Sequence, residues 1–161
     1  MDAYSYFENN LVNSIQVGQH AFFEAYYNTT RVVGSKPVCT TETGWPVSGP
    51  KENIAVVSIQ NAQTYWDQVA CKVLGNINTW WYILQDAQPT TPSLSFGIVG
   101  VTLSNTPLYN LSCSGFSGPP PDPTSLVEVP AASSTSAGGA AVARASIVGI
   151  IGAVLAVIAT L

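Results

Sequence analysis

Pro37-Val38-Cys39-Thr40-Thr41-Glu42-Thr43-Gly44-Trp45-Pro46 is the stretch on which the reading of this chain turns. Its first five residues are apolar or β-branched and suit an extended strand, and Gly44, Trp45 and Pro46 end that strand in a turn. Glu42 is thereby expected on the rim of a sheet with an aromatic face beside it. A Glu at a strand end is usually a solvated charge, and a Gly-Trp-Pro turn is usually packing. Acid next to Trp is also a common way to build a carbohydrate site, the carboxylate meeting the sugar carbon while the flat ring stacks on the pyranose.

Working outward, residues 1–7 read as a strand. From Ser14, an acceptable N-cap, the residues Ile15, Gly18, Phe22 and Ala25 recur at helical spacing, which predicts about three turns fading around Asn28. Gly34-Ser35-Lys36 then breaks the chain before the Glu42 strand. Pro50 suits an early helical position, and Ala55, Ile59, Ala62, Trp66, Val69 and Val73 follow one helix face up to Gly75. Residues 78–84 are dense in β-favouring side chains and predict a buried strand whose C-terminal rim carries Gln85 and Asp86. Strand, helix, strand, helix, strand is the order of an α/β fold with a parallel sheet. Glu42 and Asp86 both fall at C-terminal strand ends, the catalytic face of a (β/α)₈ barrel.

Lys36 to Pro46 resembles the nucleophile signature of family 17 glycoside hydrolases, the endo-1,3-β-glucanases, and particularly their fungal members. Trp80-Trp81-Tyr82, Gln85-Asp86 and Phe96-Gly97-Ile98-Val99 resemble the end of the fungal domain, so the likeness covers roughly residues 1–113. The resemblance implies a partial (β/α)₈ TIM barrel, about its last three strands. It implies retaining hydrolysis of cell-wall β-1,3-glucan, without a cofactor or metal, and makes Glu42 the nucleophile at the end of the seventh strand. The family's acid/base, a Glu at the end of the fourth strand, has no counterpart here. Asp86 does not replace it, because neighbouring strands present their side chains from the same side of the sugar. Trp45 is the expected stacking residue. Tyr4 and Tyr6, in the strand corresponding to the sixth, are expected to orient Glu42 or stack on sugar, against packing as the plainer role. Gln85 and Asp86 are expected to bind sugar hydroxyls, with a loop cap as the alternative for Asp86.

A barrel of this kind takes about 250 residues, and this chain has 161. Globular composition ends near Gly115, so residues 1–115 read as the C-terminal part of the barrel. By itself such a part is expected to be inactive or unfolded. Residues 116–143 form a linker rich in Pro, Ser, Ala and Gly and are expected to hold a GPI attachment site. Residues 144–161 are an apolar tail in the pattern of a GPI signal. That tail demands secretion, yet no signal peptide precedes Met1, which therefore reads as an internal methionine. Asn28-Thr29-Thr30 and Asn110-Leu111-Ser112 are N-glycosylation sequons, expected in exposed loops. The expectation is a monomer at the cell surface, attached to membrane through the anchor. Only 9% of residues are charged and the net charge is −4, which argues against a nucleic-acid partner. Of the three cysteines, Cys71 and Cys113 are candidates to pair and Cys39 is read as a small buried residue. Two rival functions share these features: a non-catalytic glucan-binding wall protein, and a β-1,3-glucan transglycosylase.

Overall fold

The computed structural model describes residues 1–9, 12–87 and 89–125. The GPI-type tail and most of the linker lie outside the described residues.

Strand β1, Thr40–Thr43, pairs in parallel with strand β2, Thr79–Trp81. Thr40 stands opposite Thr79 and Thr43 opposite Trp81, with a bulge between them. On its other side β1 takes a parallel bridge from Asp2 to Glu42, closed by Ala3 N–H donating to the Glu42 carbonyl at 3.0 Å and Thr41 N–H to the Met1 carbonyl at 2.8 Å. Glu42 thus sits on a central segment with a parallel neighbour on each side. The expected strand over residues 1–7 is shorter than its composition suggested. It gives way at once to a 3₁₀ turn, Ser5–Phe7, whose Tyr6 ring enters the core.

Helix α1, Gly18–Val33, follows a short 3₁₀ turn at Ile15–Val17 and runs past the expected end near Asn28. Nothing between Asn28 and Val33 breaks it, and the hydroxyls of Thr29 and Thr30 bond back to the carbonyls of Ala25 and Tyr27. It stops at Gly34, whose positive φ of 65° suits glycine and whose N–H closes on the Thr30 carbonyl. The second helix does not begin near Pro50. Residues Glu52 and Ala55 exchange backbone bonds across a turn in which Asn53 has φ 52°, and the helix is capped instead by Ser58, whose Oγ accepts from Asn61 N–H. It continues as α2, Ile59–Tyr65, a π-helical stretch, Trp66–Ala70, and α3, Cys71–Val73. Its buried face, Ala62, Tyr65, Trp66, Val69, Ala70 and Val73, packs with Phe22, Phe23, Trp45 and Tyr109.

Residues 78–84 are expected to form a buried strand, but β2 is limited to Thr79–Trp81 and the segment is covered on one side only. Trp80 is 59% exposed and Leu84 56%, whereas Trp81 packs on Trp66 and Tyr65. The alternation is the period-two signature of a half-covered sheet rather than of one enclosed by helices on both faces.

Cys71 and Cys113 form a disulfide, and Cys39 is free and half-buried rather than enclosed. Beside the disulfide's terminal arm, Tyr109 is buried and takes a bond from Trp81 Nε1 at 3.3 Å. Burial pushes its phenol up to about 12, the Trp81 bond acting in the opposite direction. An unfolded tyrosine ionises near 10, so base favours the unfolded chain. The stabilisation from neutral, buried Tyr109 is fully present below pH 10 and lost as pH rises toward 12. Other tyrosines whose phenols burial pushes up, Tyr4 and Tyr65 among them, contribute the same loss of stability in base to parent and variant. Denaturation in urea is therefore expected to show Tyr109→Phe losing about 2 kcal/mol less than the parent between pH 9 and pH 12; a pH dependence identical in the variant would contradict it.

Candidate active site

Glu42 is exposed at the C-terminal end of β1, and its Oε2 accepts a hydrogen bond from the Tyr4 hydroxyl at 2.9 Å. The backbone makes this meeting inevitable, because the bridge between Asp2 and Glu42 brings the N-terminal segment alongside β1 at that point. Burial first, then the bond to Glu42 and its negative charge, push the Tyr4 phenol well above the usual tyrosine range. Tyr4 is therefore a neutral donor to the carboxylate at ordinary pH. Gly44, two residues on, lies so close to the Tyr82 carbonyl that a Cβ there would come within 2.3 Å of it. Only glycine lets β1 turn away beneath the end of β2.

An aromatic rim surrounds the pair. The Tyr4 ring makes edge contacts with Phe7 at 5.8 Å, Tyr82 at 6.1 Å and Phe96 at 5.6 Å. Phe7 is 45% exposed and Tyr82 37%, while Phe96 is buried beneath them. A neutral donor, an exposed carboxylate and open aromatic edges make a surface suited to a polyhydroxylated, flat-faced ligand.

No protein-family model matches the chain. Over 116 residues it is 57% identical to a protein named "Probable glucan endo-1,3-beta-glucosidase eglC" from Aspergillus fumigatus, a match to 72% of this chain and 26% of that protein. The protein of the same name from Aspergillus clavatus is 58% identical over 116 residues, with the same coverage. "Glucan endo-1,3-beta-glucosidase 4" of Arabidopsis thaliana is 35% identical over 103 residues, 56% of this chain and 20% of that protein. Among solved structures, the family 17 β-1,3-glucanosyltransferase of Rhizomucor miehei superposes with a TM-score of 0.56 at 26% identity, covering 70% of this chain and 43% of the other. The chain is homologous to part of a family 17 glycoside hydrolase. It spans about a quarter of the length of the Aspergillus relatives, 26% in both cases.

The structure redistributes the expected roles. Trp45 is not a stacking platform: it is 1% exposed, its ring lies against Tyr6 and Tyr65, and its Nε1 donates to the Val56 carbonyl. The turn directs the ring under the site instead of over it. Tyr6 is likewise 1% exposed and donates to the Pro50 carbonyl at 2.6 Å, so it neither reaches Glu42 nor offers a face to sugar. Gln85 is half-buried, and its Nε2 donates to the Val101 carbonyl at 2.8 Å.

Asp86 is a loop cap. Asp86 is 5% exposed, and its carboxylate accepts from Ser95 Oγ at 2.5 Å, Phe96 N–H at 3.2 Å and Gly97 N–H at 3.0 Å, so its oxygens are taken up within the loop. Those bonds hold the loop that presents Phe96 to the aromatic rim. Asp86→Ala is expected to cost about 3 kcal/mol by stranding buried donors, read as a fall in the urea midpoint. A loss under about 0.5 kcal/mol, the size of an ordinary surface change, would show that the cap is dispensable.

Both sequons keep exposed asparagines, but only one lies in a loop. Asn28 is on α1 and accepts from Arg31 at 2.7 Å, a correction to the loop expected from the sequon. Asn110 follows the Tyr109 anchor, its Oδ1 taking Ser112 N–H at 2.9 Å.

Phe7, Tyr82 and Phe96 were not singled out as site residues by the sequence. The signal for Tyr82 was present in the alternation of Trp80, Tyr82 and Leu84. For Phe7 and Phe96 it was not, since their proximity to Tyr4 is created by the 3₁₀ turn and by the Asp86-capped loop.

Proposed function

We propose that this chain carries the nucleophile half of a retaining endo-1,3-β-glucanase site acting on cell-wall β-1,3-glucan. The observation that carries the reading is the Tyr4–Glu42 pair at the end of β1, within a sequence 57% identical to the Aspergillus glucosidases. Tyr4 fixes one carboxylate oxygen, and among the described residues no second side chain donates to Glu42. The other oxygen is left to attack the anomeric carbon. As that bond forms, the bond to the leaving glycosidic oxygen breaks, and an acid on the opposite side protonates the leaving group. Water then attacks the glycosyl ester from the vacated side, the same acid group taking its proton, and Glu42 departs as a carboxylate. The neutral Tyr4 donor stabilises the charge as it returns.

The acid/base comes, in this reading, from the part of the relatives that this chain does not match. The open face of β2 at Trp80, continued past the strand's end at Leu84, supports it, because that is the face the rest of a closed barrel would cover. The remaining features complete the proposal: glycans on Asn28 and Asn110, a linker, and a C-terminal GPI signal holding a monomer at the cell surface. Laminarin hydrolysis tests the central claim. A hybrid barrel, in which residues 1–115 replace the matching stretch of the Aspergillus clavatus relative, is expected to hydrolyse laminarin with retention, whereas the 161-residue chain alone is not. An inactive hybrid, or a fully active short chain, would overturn it.

A second reading has its own support, since the Rhizomucor neighbour is a glucanosyltransferase. There another glucan, in place of water, captures the glycosyl ester on Glu42. Products longer than the substrate would select it. Binding of laminarin by the hybrid with no turnover would select a non-catalytic wall protein instead.

A further inference from the structure

Tyr4 and Glu42 meet only if the N-terminal segment and β1 keep their relative register. The residues that follow them, Ser5 and Thr43, are both buried, and both reach the same atom. Tyr65 Oη lies 3.2 Å from Ser5 Oγ and 3.1 Å from Thr43 Oγ1. Ser5 Oγ in turn donates to the Gly18 carbonyl at 2.7 Å.

The directions of these bonds follow from counting protons. A hydroxyl has one proton to donate, and that of Ser5 is committed to Gly18. Tyr65 must therefore donate to Ser5, and Thr43 must donate to Tyr65. The result is a one-way chain, Thr43 to Tyr65 to Ser5 to Gly18, with Ser5 3% exposed and Thr43 and Tyr65 0%. Every hydroxyl in it is satisfied, and bonds aligned this way in a dry interior reinforce one another. The ring is also held: a Cβ on Gly18 would stand 3.2 Å from its edge, and Trp45 and Trp81 flank it at 5.6 Å and 5.8 Å. A phenylalanine would keep all of that packing and lose the hydroxyl's bonds, the bridge between Ser5 and Thr43 together with the bond to the Ser5 backbone.

We propose that Tyr65 is a positioning residue for the Tyr4–Glu42 pair, its buried hydroxyl locking together the two segments that carry the donor and the carboxylate. The inference rests on the role of Glu42 proposed above. Tyr65 touches neither substrate nor the reacting atoms, and it acts through Tyr4.

A double-mutant cycle in the hybrid barrel tests this. Tyr65→Phe is expected to lower kcat on laminarin about ten- to a hundredfold while KM stays within about twofold, since small misplacements of a reacting group cost rate more than affinity. In a Tyr4→Phe background the same change is expected to add less than about threefold, because the interaction it protects is already gone. Equal factors in the two backgrounds, or an unchanged kcat, would reduce Tyr65 to a packing residue and overturn the proposal. Should Tyr65→Phe fail to fold, Thr43→Val, which removes the same link without changing shape, runs the identical cycle. The two failures are separable. Activity that survives Glu42→Gln defeats the proposed function, whereas a dead Glu42→Gln with multiplicative Tyr65→Phe and Tyr4→Phe effects defeats only the bridge.

Discussion

Glu42→Gln in the hybrid barrel is expected to reduce laminarin turnover by about a thousandfold or more, with binding little changed. The amide keeps the shape of the carboxylate, and its oxygen still accepts from Tyr4, which sits 2.9 Å from Glu42 Oε2 in the native site. Positioning is therefore retained while nucleophilicity is lost, and the loss is chemical rather than structural. Titration of laminarin into the variant should show affinity within about threefold of the parent, as expected when only the transition state is affected. Glu42→Gly sharpens the test: azide entering the space left by the side chain is expected to restore turnover of an activated aryl β-glucoside and to give the α-glucosyl azide. Rescue with that inversion requires attack from the side where Glu42 stood. Turnover within about tenfold of the parent in Glu42→Gln would remove Glu42 from the mechanism and return the search to other acids.

The place of Glu42 was legible in the sequence because it depends on local facts. An extended run ending in Gly44-Trp45-Pro46 fixes a carboxylate at a strand end, and the parallel pairing of β1 with β2 follows from the alternation of strands and helices. The fate of Trp45 was not legible, because whether a ring beside a turn points over a rim or under it depends on what fills the space below. Here Tyr65, on a helix some twenty residues later, and Tyr6 provide a pocket, and the ring is buried between them. Asp86 shows the same limit. Its three acceptor contacts all come from residues 95–97, across a loop whose path sequence alone does not define. The start of the second helix went astray for a local reason instead. Pro50 and Ser58 are both acceptable starts, and only the turn between Glu52 and Ala55 decides for the serine.

Opening the Cys71–Cys113 bond is expected to destabilise the fold by about 4 kcal/mol, the largest stability change among the substitutions considered. The two residues are 42 apart in sequence, and closing a loop of that length in the unfolded chain costs about 4 kcal/mol in the entropy model of cross-links. What the bond encloses matters as much as its length. Between its ends lie β2, the Asp86-capped loop and Tyr109, so the flank of β1 and two of the rim's rings, Tyr82 and Phe96, belong to the tethered stretch. Noncovalent contacts hold the same ends in the folded state. Gln63 exchanges bonds with the Asn110 backbone at 2.9 Å and 2.7 Å, and Trp66 Nε1 donates to the Leu111 carbonyl at 3.2 Å. The native arrangement is therefore expected to survive the loss of the disulfide, and the effect to fall on the unfolded chain, which gains freedom. Cys71→Ser and Cys113→Ser should accordingly show equal falls in the urea midpoint, matched by reduction of the parent. Cys39→Ser, which opens no loop, is expected to cost under about 1 kcal/mol. Equal losses at Cys39 and Cys113 would mean that the cross-link contributes nothing beyond side-chain packing.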